Sequence, residues 1–339
     1  MKLLRVILFP IVPIYFLVTW FRNKLYDWGL KKSKSYNFPV LCVGNLSTGG
    51  TGKTPMVEYL IRLLKDDYIL ATLSRGYKRE TKGFVLASEK ATAKAIGDEP
   101  YQFFNKYKKD TLVAVCENRR EGIWELRQLA AAPNLIILDD AFQHRKVRAN
   151  VNILLTAYND LYTEDIVLPT GNLREPRSGA QRAQIIVITK CPESITEAQR
   201  QQIISKINPN SSQTVHFSSI AYSDTVFCTT DSKPLSEVDN FTLVTGIANP
   251  KPLLEFLDIQ GKTYEHIGFK DHHNFTPGDI KKLEEKSLII TTEKDFMRLM
   301  RYESLTNKLF YLPIETKIHE SDSFDKSVKE LVFQSTKSH

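Results

Sequence analysis

Residues 41–54 read LCVGNLSTGGTGKT, and this stretch restricts the fold more than any other part of the chain. A short apolar run, Val40, Leu41 and Val43, breaks off into a loop of Gly, Ser and Thr. The loop closes on Gly52-Lys53-Thr54 and runs into a helix-like segment over residues 56–64. The order is strand, loop, helix. Backbone N–H groups of such a loop converge on phosphate oxygens, and the helix N-terminus behind them adds positive potential. Ser47, Thr48, Gly49, Gly50, Thr51 and Gly52 would form the cradle, Lys53 would reach the outer phosphates, and the Thr54 hydroxyl would hold Mg²⁺. In the GxxxxGK[ST] pattern the first glycine falls at position 47, which is Ser47 here. A serine serves there only if its backbone φ suits it. The plain alternative is a glycine-rich turn between a strand and a helix.

Further strands are expected at residues 68–73, 111–116, 134–140, 151–156 and 184–189, with helices at 101–107, 121–131 and 194–207. Such alternation predicts a mostly parallel sheet flanked by crossover helices, the P-loop NTPase kind of α/β fold. The run NLIILDD ends in Asp139 and Asp140. Acids at the C-terminal tip of a buried parallel strand sit where a P-loop protein holds its metal. Gln143 and His144 follow directly. Arg75 and Tyr77 come just past another strand, either at the ligand edge of the sheet or in a solvated turn. Gly97-Asp98-Glu99-Pro100 reads equally as a helix cap with first-turn acids or as a carboxylate base facing a transferred phosphate.

The chain begins differently. Residues 3–21 are apolar apart from Arg5, with Pro10 and Pro13 as interruptions and Lys2, Arg22 and Lys24 at the flanks. No small-residue cleavage site follows, which argues against a signal peptide. A spanning helix needs about 20 apolar residues. The stretch is borderline for that, and the prolines weaken it. The reading adopted is a helix lying in the headgroup region, with Trp20, Phe21 and Trp28 at the interface. A single span and a buried core helix are the alternatives.

Length and charge add bounds. The 339 residues suffice for two packed lobes, and Lys+Arg 46 against Asp+Glu 39 gives +7, which suits an acidic partner without naming one. The four cysteines are far apart and form no CxxC pair, so no zinc or disulfide framework is expected. The expected division is 1–30 for the membrane-associated helix, 31–225 for a P-loop core, and 226–339 for a smaller α/β lobe. In that last part, Asp271-His272-His273 precede a helix start at Thr276-Pro277. They could form a carboxylate–histidine relay or a solvated loop. Glu293-Lys294-Asp295 closes a last strand-like run, either touching a base or capping a helix.

Together VGNLSTGGTGKTP, LSRGY, GDEP, ENR, LDDAFQHR, GNLREP, FKDHHNF and TTEKD, in this order, resemble the tetraacyldisaccharide 4′-kinase family nearly end to end. The resemblance implies an ATP- and Mg²⁺-dependent kinase that phosphorylates the 4′-hydroxyl of a tetraacyldisaccharide 1-phosphate, giving lipid IVA in lipid A biosynthesis. By the same resemblance Lys53 and Thr54 bind nucleotide phosphate and Mg²⁺, and Asp139 with Asp140 serves the metal. Asp98 would be the base, oriented by His272. Glu99, Arg119, Gln143, His144 and Glu175 would line the site, while Arg75 and Tyr77 would face substrate or phosphate. The enzyme would work at the cytoplasmic face of the bacterial inner membrane, peripheral or monotopic, with no nucleic-acid partner and an oligomeric state left open. The rival classes are a P-loop GTPase or ATPase switch, which would want an NKxD loop that Thr189-Lys190-Cys191-Pro192 does not supply, and a membrane adaptor, which would need no base.

Overall fold

A computed structural model describes residues 7–271 and 273–337. The chain opens with a 3-10 turn, Phe9–Ile11, and helix α1, Val12–Asp27. Pro10 and Pro13 lie in the first turns of these two elements, where no intrahelical N–H is lost. They start helices and do not interrupt one.

Next come β1 (Val40–Asn45), α2 (Lys53–Leu64), β2 (Leu70–Ser74), β3 (Val85–Leu86), α3 (Ala93–Ile96), α4 (Asp98–Tyr107), β4 (Thr111–Val115), α5 (Arg119–Arg127), β5 (Leu135–Asp139), β6 (Val151–Ala157), β7 (Ile185–Thr189), α6 (Glu197–Ile207) and β8 (Thr214–Tyr222). The second half adds β9 (Thr225–Phe227), β10 (Ser232–Pro234), β11 (Phe241–Thr245), α7 (Lys251–Ile259), β12 (Tyr264–Gly268), α8 (Pro277–Glu284), β13 (Ile289–Thr292), α9 (Glu293–Leu299), β14 (Leu309–Leu312), β15 (Ile314–Ile318) and α10 (Ser321–Lys337).

The first sheet has nine strands in the order β15-β8-β7-β6-β1-β5-β2-β4-β3. It is parallel except at its two edges, where β3 and β15 run antiparallel to their neighbours. Strands β1, β5 and β7 are buried along their whole length, as continuous apolar runs in a two-sided parallel sheet require. The loop-bearing strand β1 sits between β5 and β6, so the chain reverses its direction of winding there. Ligands of open α/β sheets bind at the strand C-termini beside such a reversal.

A second sheet of six strands, β10-β9-β14-β13-β11-β12, forms the second lobe. The boundary expected at 226 falls inside β9. The lobe does not run to the end of the chain, however: β15 leaves it and pairs with β8, with Ile314 opposite Tyr222. Helix α10 then buries Phe324, Val328 and Val332 in the core shared with α2. The last 25 or so residues return to the first sheet because its outer strand and face would otherwise stay open.

Helix α1 packs the wrong way round for a soluble surface helix. Its polar positions face the protein: Tyr15 donates to the Arg174 carbonyl (3.1 Å), Arg22 to the Gln143 carbonyl (2.6 Å) and Asn23 to the Glu175 carboxylate (2.5 Å). Its apolar positions face out, with Ile14, Leu17, Val18 and Phe21 all more than half exposed. The buried-core alternative is thereby excluded. Among the described residues no helix is long and apolar enough to cross a membrane.

Candidate active site

Strand β1 ends at Asn45, and the loop that follows is fixed from both sides. Asn45 donates to the Thr51 hydroxyl (2.9 Å), Thr48 N–H donates to the Asn172 carbonyl (2.7 Å), and the Thr189 hydroxyl donates to the Thr51 carbonyl (2.8 Å). Ser47 bridges Leu173 and is not among the positive-φ residues, so no glycine is needed there. Gly52 is different. Its φ of +83° at the N-cap of α2 is a left-handed conformation that glycine adopts without a Cβ penalty. The turn it makes starts the helix on Lys53.

The parallel register sets Asp139 beside Val43 at the strand tips. Asp140 follows in a left-handed conformation, φ +47°. Its carboxylate takes Arg174 at 2.9 Å and the Lys53 ammonium only at 3.8 Å. Asp139 is 2% exposed, and its Oδ1 has no hydrogen-bond partner. Burial, then the neighbouring Glu99 and Asp140 carboxylates, push Asp139 up to about 7 against the pull of Lys53 and Arg119.

Helix α4 brings the next two acids. Gly97 caps it with φ +95°, and a Cβ there would meet the Tyr77 carbonyl at 3.2 Å, so this loop and the Arg75–Tyr77 turn close on each other. The helix starts at Asp98, three residues before the sequence pattern suggested, and both acids occupy its first turn. Glu99 accepts from Lys294 at 2.9 Å and from the Thr54 hydroxyl at 3.4 Å. Burial raises the Glu99 carboxyl, but Lys294, with Lys53 and Thr54, outweighs it and holds it below its ordinary range. Asp98 accepts two hydrogen bonds from Arg298 on the same oxygen, at 2.9 and 2.7 Å.

One cleft of about 910 Å³ is lined by Thr48, Gly49, Lys53, Arg75, Tyr77, Asp98, Glu99, Arg119, Asp139, Asp140, Gln143 and His144. Of the other expected residues, Ser47, Gly50, Thr51 and Gly52 complete the loop and Thr54 stands in the first turn of α2; none of the five is among the residues lining the cleft. Glu175 is 2% exposed and lies beneath the floor, accepting from Asn23, Gln143 and Arg182. It orients Gln143 and ties down α1. The buried Arg119 guanidinium donates to the Cys116 and Asp139 carbonyls, bracing β4 against β5. Burial and the surrounding Arg119, Lys146, Arg22 and Arg75 charges hold His144 down at about 4, so it is neutral at pH 7.

His272 lies outside the described residues. Its neighbour His273 does not reach Asp98: it bonds the Asp279 carboxylate at 3.0 Å and stacks on Phe269 at 4.6 Å. Asp279 closes the capping box of α8 with Thr276. Arg22, Arg174, Lys294 and Arg298 were missed as site residues. Arg174 and Lys294 stood in noted motifs. Arg298 carries no sequence signal, since nothing near it marks a helix that docks on Asp98.

The donor set suits Mg²⁺. That ion takes one or two carboxylates and leaves its other positions to water and substrate phosphates. Asp139, with its orphaned buried oxygen, supplies one such carboxylate, and the Thr54 hydroxyl supplies a further oxygen. Among the described residues no three His, Cys, Asp or Glu side chains gather to hold a metal by themselves.

Comparison with known proteins agrees with this geometry. The family model described as Tetraacyldisaccharide-1-P 4'-kinase matches residues 4–332. A tetraacyldisaccharide 4'-kinase of Flavobacterium johnsoniae is 47% identical over 338 residues, covering 98% of each chain. One from Bacteroides thetaiotaomicron is 43% identical, covering 97% of this chain and 94% of its own. The crystal structure of LpxK from Aquifex aeolicus in complex with ATP superposes with a TM-score of 0.78 at 32% identity, over 97% of this chain and 99% of that one. A phosphate loop, an acid-tipped neighbouring strand and this end-to-end likeness have one consequence: the chain belongs to the tetraacyldisaccharide 4′-kinase family.

Proposed function

We propose that the cleft transfers the γ-phosphoryl group of ATP to the 4′-hydroxyl of a tetraacylated glucosamine disaccharide 1-phosphate, at the surface of a membrane. The observation that carries this reading is the convergence of Lys53, Asp98, Glu99, Asp139 and Asp140 in one cleft. Phosphoryl transfer asks a protein mainly to position donor and acceptor and to balance charge. The loop N–H groups and Lys53 bind the β- and γ-phosphates. Thr54 and Asp139 would hold Mg²⁺, which would neutralise charge on the bound phosphates. Asp98 is the base: the sugar oxygen bonds to phosphorus, the bond to the β-phosphate oxygen breaks, ADP leaves, and the hydroxyl proton passes to the carboxylate. Arg298 holds one oxygen of Asp98 and leaves the other open to the hydroxyl. His272 is proposed to orient Asp98.

Helix α1 supports the membrane part. Its outward apolar face suits the headgroup boundary, and its inward polar face is tied to the cleft floor through Gln143 and Glu175. The acyl chains can then stay in the bilayer while the sugar enters the cleft. ATP supply places the site on the cytoplasmic face.

The test uses purified full-length protein, labelled ATP and the lipid disaccharide in mixed micelles. Label should appear in a bisphosphorylated lipid. Asp98→Ala and His272→Ala should each cost several orders of magnitude in kcat, within the range of lost general-base catalysis of about 10²–10⁴ or beyond, with KM for ATP nearly intact. A near-wild-type rate in either variant sinks that residue's assignment.

A further inference from the structure

A second pocket, of about 400 Å³, lies at the C-terminal end of α1 and is lined by Tyr26, Lys31, Lys32, Asn118, Arg120 and Lys146. We propose that it is an anion site for a lipid-borne phosphate group, separate from the phosphate being transferred. The inference rests on the kinase reading above only for the choice of lipid.

Four of the six lining residues are cationic, and among the described residues none of those four forms an ion pair. Two cations beside the cleft are matched by contrast: Arg174 has Asp140, and Lys294 has Glu99. Three acids adjoin the lining residues in sequence, and none pairs with the four cations: Asp27 pairs with Arg145 at 2.8 Å and Lys24 at 3.8 Å, Glu117 pairs with Arg79 at 2.7 Å, and Glu121 accepts from the lining Asn118 at 3.5 Å. Like charges held together without a counter-ion repel, and a bound anion relieves that.

The walls are held in place. Lys34 and Val147 form a parallel bridge, Lys34 N–H donates to the Lys146 carbonyl (2.9 Å), and the Ser33 hydroxyl donates to the Arg145 carbonyl (2.6 Å). These contacts hold residues 33–34 against 145–147, and Lys31 N–H donates to the Leu25 carbonyl (2.8 Å). Lys31 also sits over the Tyr26 ring at 6.0 Å, whose other partner is Arg145 at 5.3 Å. Arg120 lies in the first turn of α5, where the side chain of the N-cap residue Asn118 accepts no hydrogen bond from the helix, so the helix end adds its own positive potential.

Position selects the kind of phosphate. Trp28 and Leu30, 58% and 71% exposed, follow α1 along the chain and lead into this pocket's Lys31 and Lys32, and Trp28 packs edge-on against Trp20 and Phe21 of the helix. On the other side Arg120 follows the cleft residue Arg119, and Lys146 lies two residues past His144. A phosphate bound here would stand at headgroup depth beside the cleft. Two lipids offer one: the disaccharide, through its 1-phosphate, and an anionic phospholipid.

The experiment compares wild type with Lys32→Gln/Lys146→Gln, full length, matched for thermal midpoint. In neutral-detergent micelles KM for the disaccharide 1-phosphate should rise roughly tenfold or more, as expected for two lost charges near a lipid phosphate. kcat and KM for ATP should hold, and Lys32→Arg/Lys146→Arg should restore KM. A disaccharide lacking the 1-phosphate should then serve both proteins equally, which assigns the site to the substrate. If micellar KM is unmoved but the variant loses a preference for vesicles containing phosphatidylglycerol over pure phosphatidylcholine, the phosphate is a headgroup. Equal KM and equal vesicle binding overturn the site. The vesicle measurement needs no turnover, so failure of the kinase reading would show separately as absent labelling by wild type.

Discussion

Lys53 and Lys106 both lie against the phosphate-loop helix, and they are held in contrasting ways. Lys53, at the first position of α2, comes no nearer than 3.8 Å to Asp140. Lys106, on α4, is closed between Glu58 of α2 at 2.5 Å and Glu293 of α9 at 2.9 Å, and those two carboxylates raise its pKa against the effect of burial. One lysine faces an open cleft and has only a loose ion pair there, and the other seals the seam between the lobes. Charge left loosely matched marks where a ligand is to bind, whereas charge matched tightly in a buried place holds elements together. The seam also carries the cleft's second wall. Residues Lys294 and Arg298 of α9 grip Glu99 and Asp98, so the lobe that lacks the phosphate loop positions two acids that line the cleft beside it.

That contrast can be broken by substitution. Lys53→Met should cut turnover by about 10³-fold or more, the scale of losing a main charge contact in the transition state, while the thermal midpoint stays near wild type. Lys106→Met should do the opposite. Removing the one cation between two buried carboxylates should cost about 3–5 kcal/mol in urea unfolding. If Lys106→Met unfolds like wild type, the seam is not cemented by this cluster. A smaller effect is expected of Arg298→Gln. It removes a positioning contact and leaves the carboxylate in place, so kcat should fall roughly tenfold, about 1.4 kcal/mol, with KM for ATP unchanged. A fall as large as that of Asp98→Ala would mean that Arg298 does more than position the base.

The smallest effect is a pair of opposed pH dependences. Burial and Glu58 push Glu293 up to about 7 from 4.5, so between those values the folded chain binds the extra proton and stability falls as pH rises. His144 is held at about 4 against 6.5, so there the unfolded chain binds the extra proton and stability rises with pH, being lost as pH falls from 6.5 towards 4. Asp139, also raised to about 7, adds a second falling slope over the same range. Relative to wild type, Glu293→Gln should turn the stability slope between pH 4.5 and 6.5 more positive, and His144→Asn should turn it more negative. Chemical denaturation across that range checks both signs.

Much of the cleft floor was legible because it is local. A glycine before Lys53 and an acid at the end of an apolar strand are features a few residues long, and parallel pairing then sets them side by side. The GDEP segment was legible only as a choice. The structure gives both halves at once, since Asp98 and Glu99 are first-turn acids of α4 and also line the cleft. Pro10 and Pro13 misled, because proline breaks a helix or starts one according to where the first turn falls. The length of the second lobe was misjudged for a related reason: nothing in residues 314–337 says which sheet has an open edge.

The chain's own order thus determined the phosphate loop, the acid-tipped strand and the parallel α/β class, since each depends on backbone geometry over a few neighbours. Tertiary structure alone decided which face of α1 turns outward and which residues meet Asp98. Hydropathy measures how apolar a helix is and not which side finds a partner. The contact from Arg298 to Asp98 spans 200 positions, a distance over which only packing of the whole chain brings two side chains together.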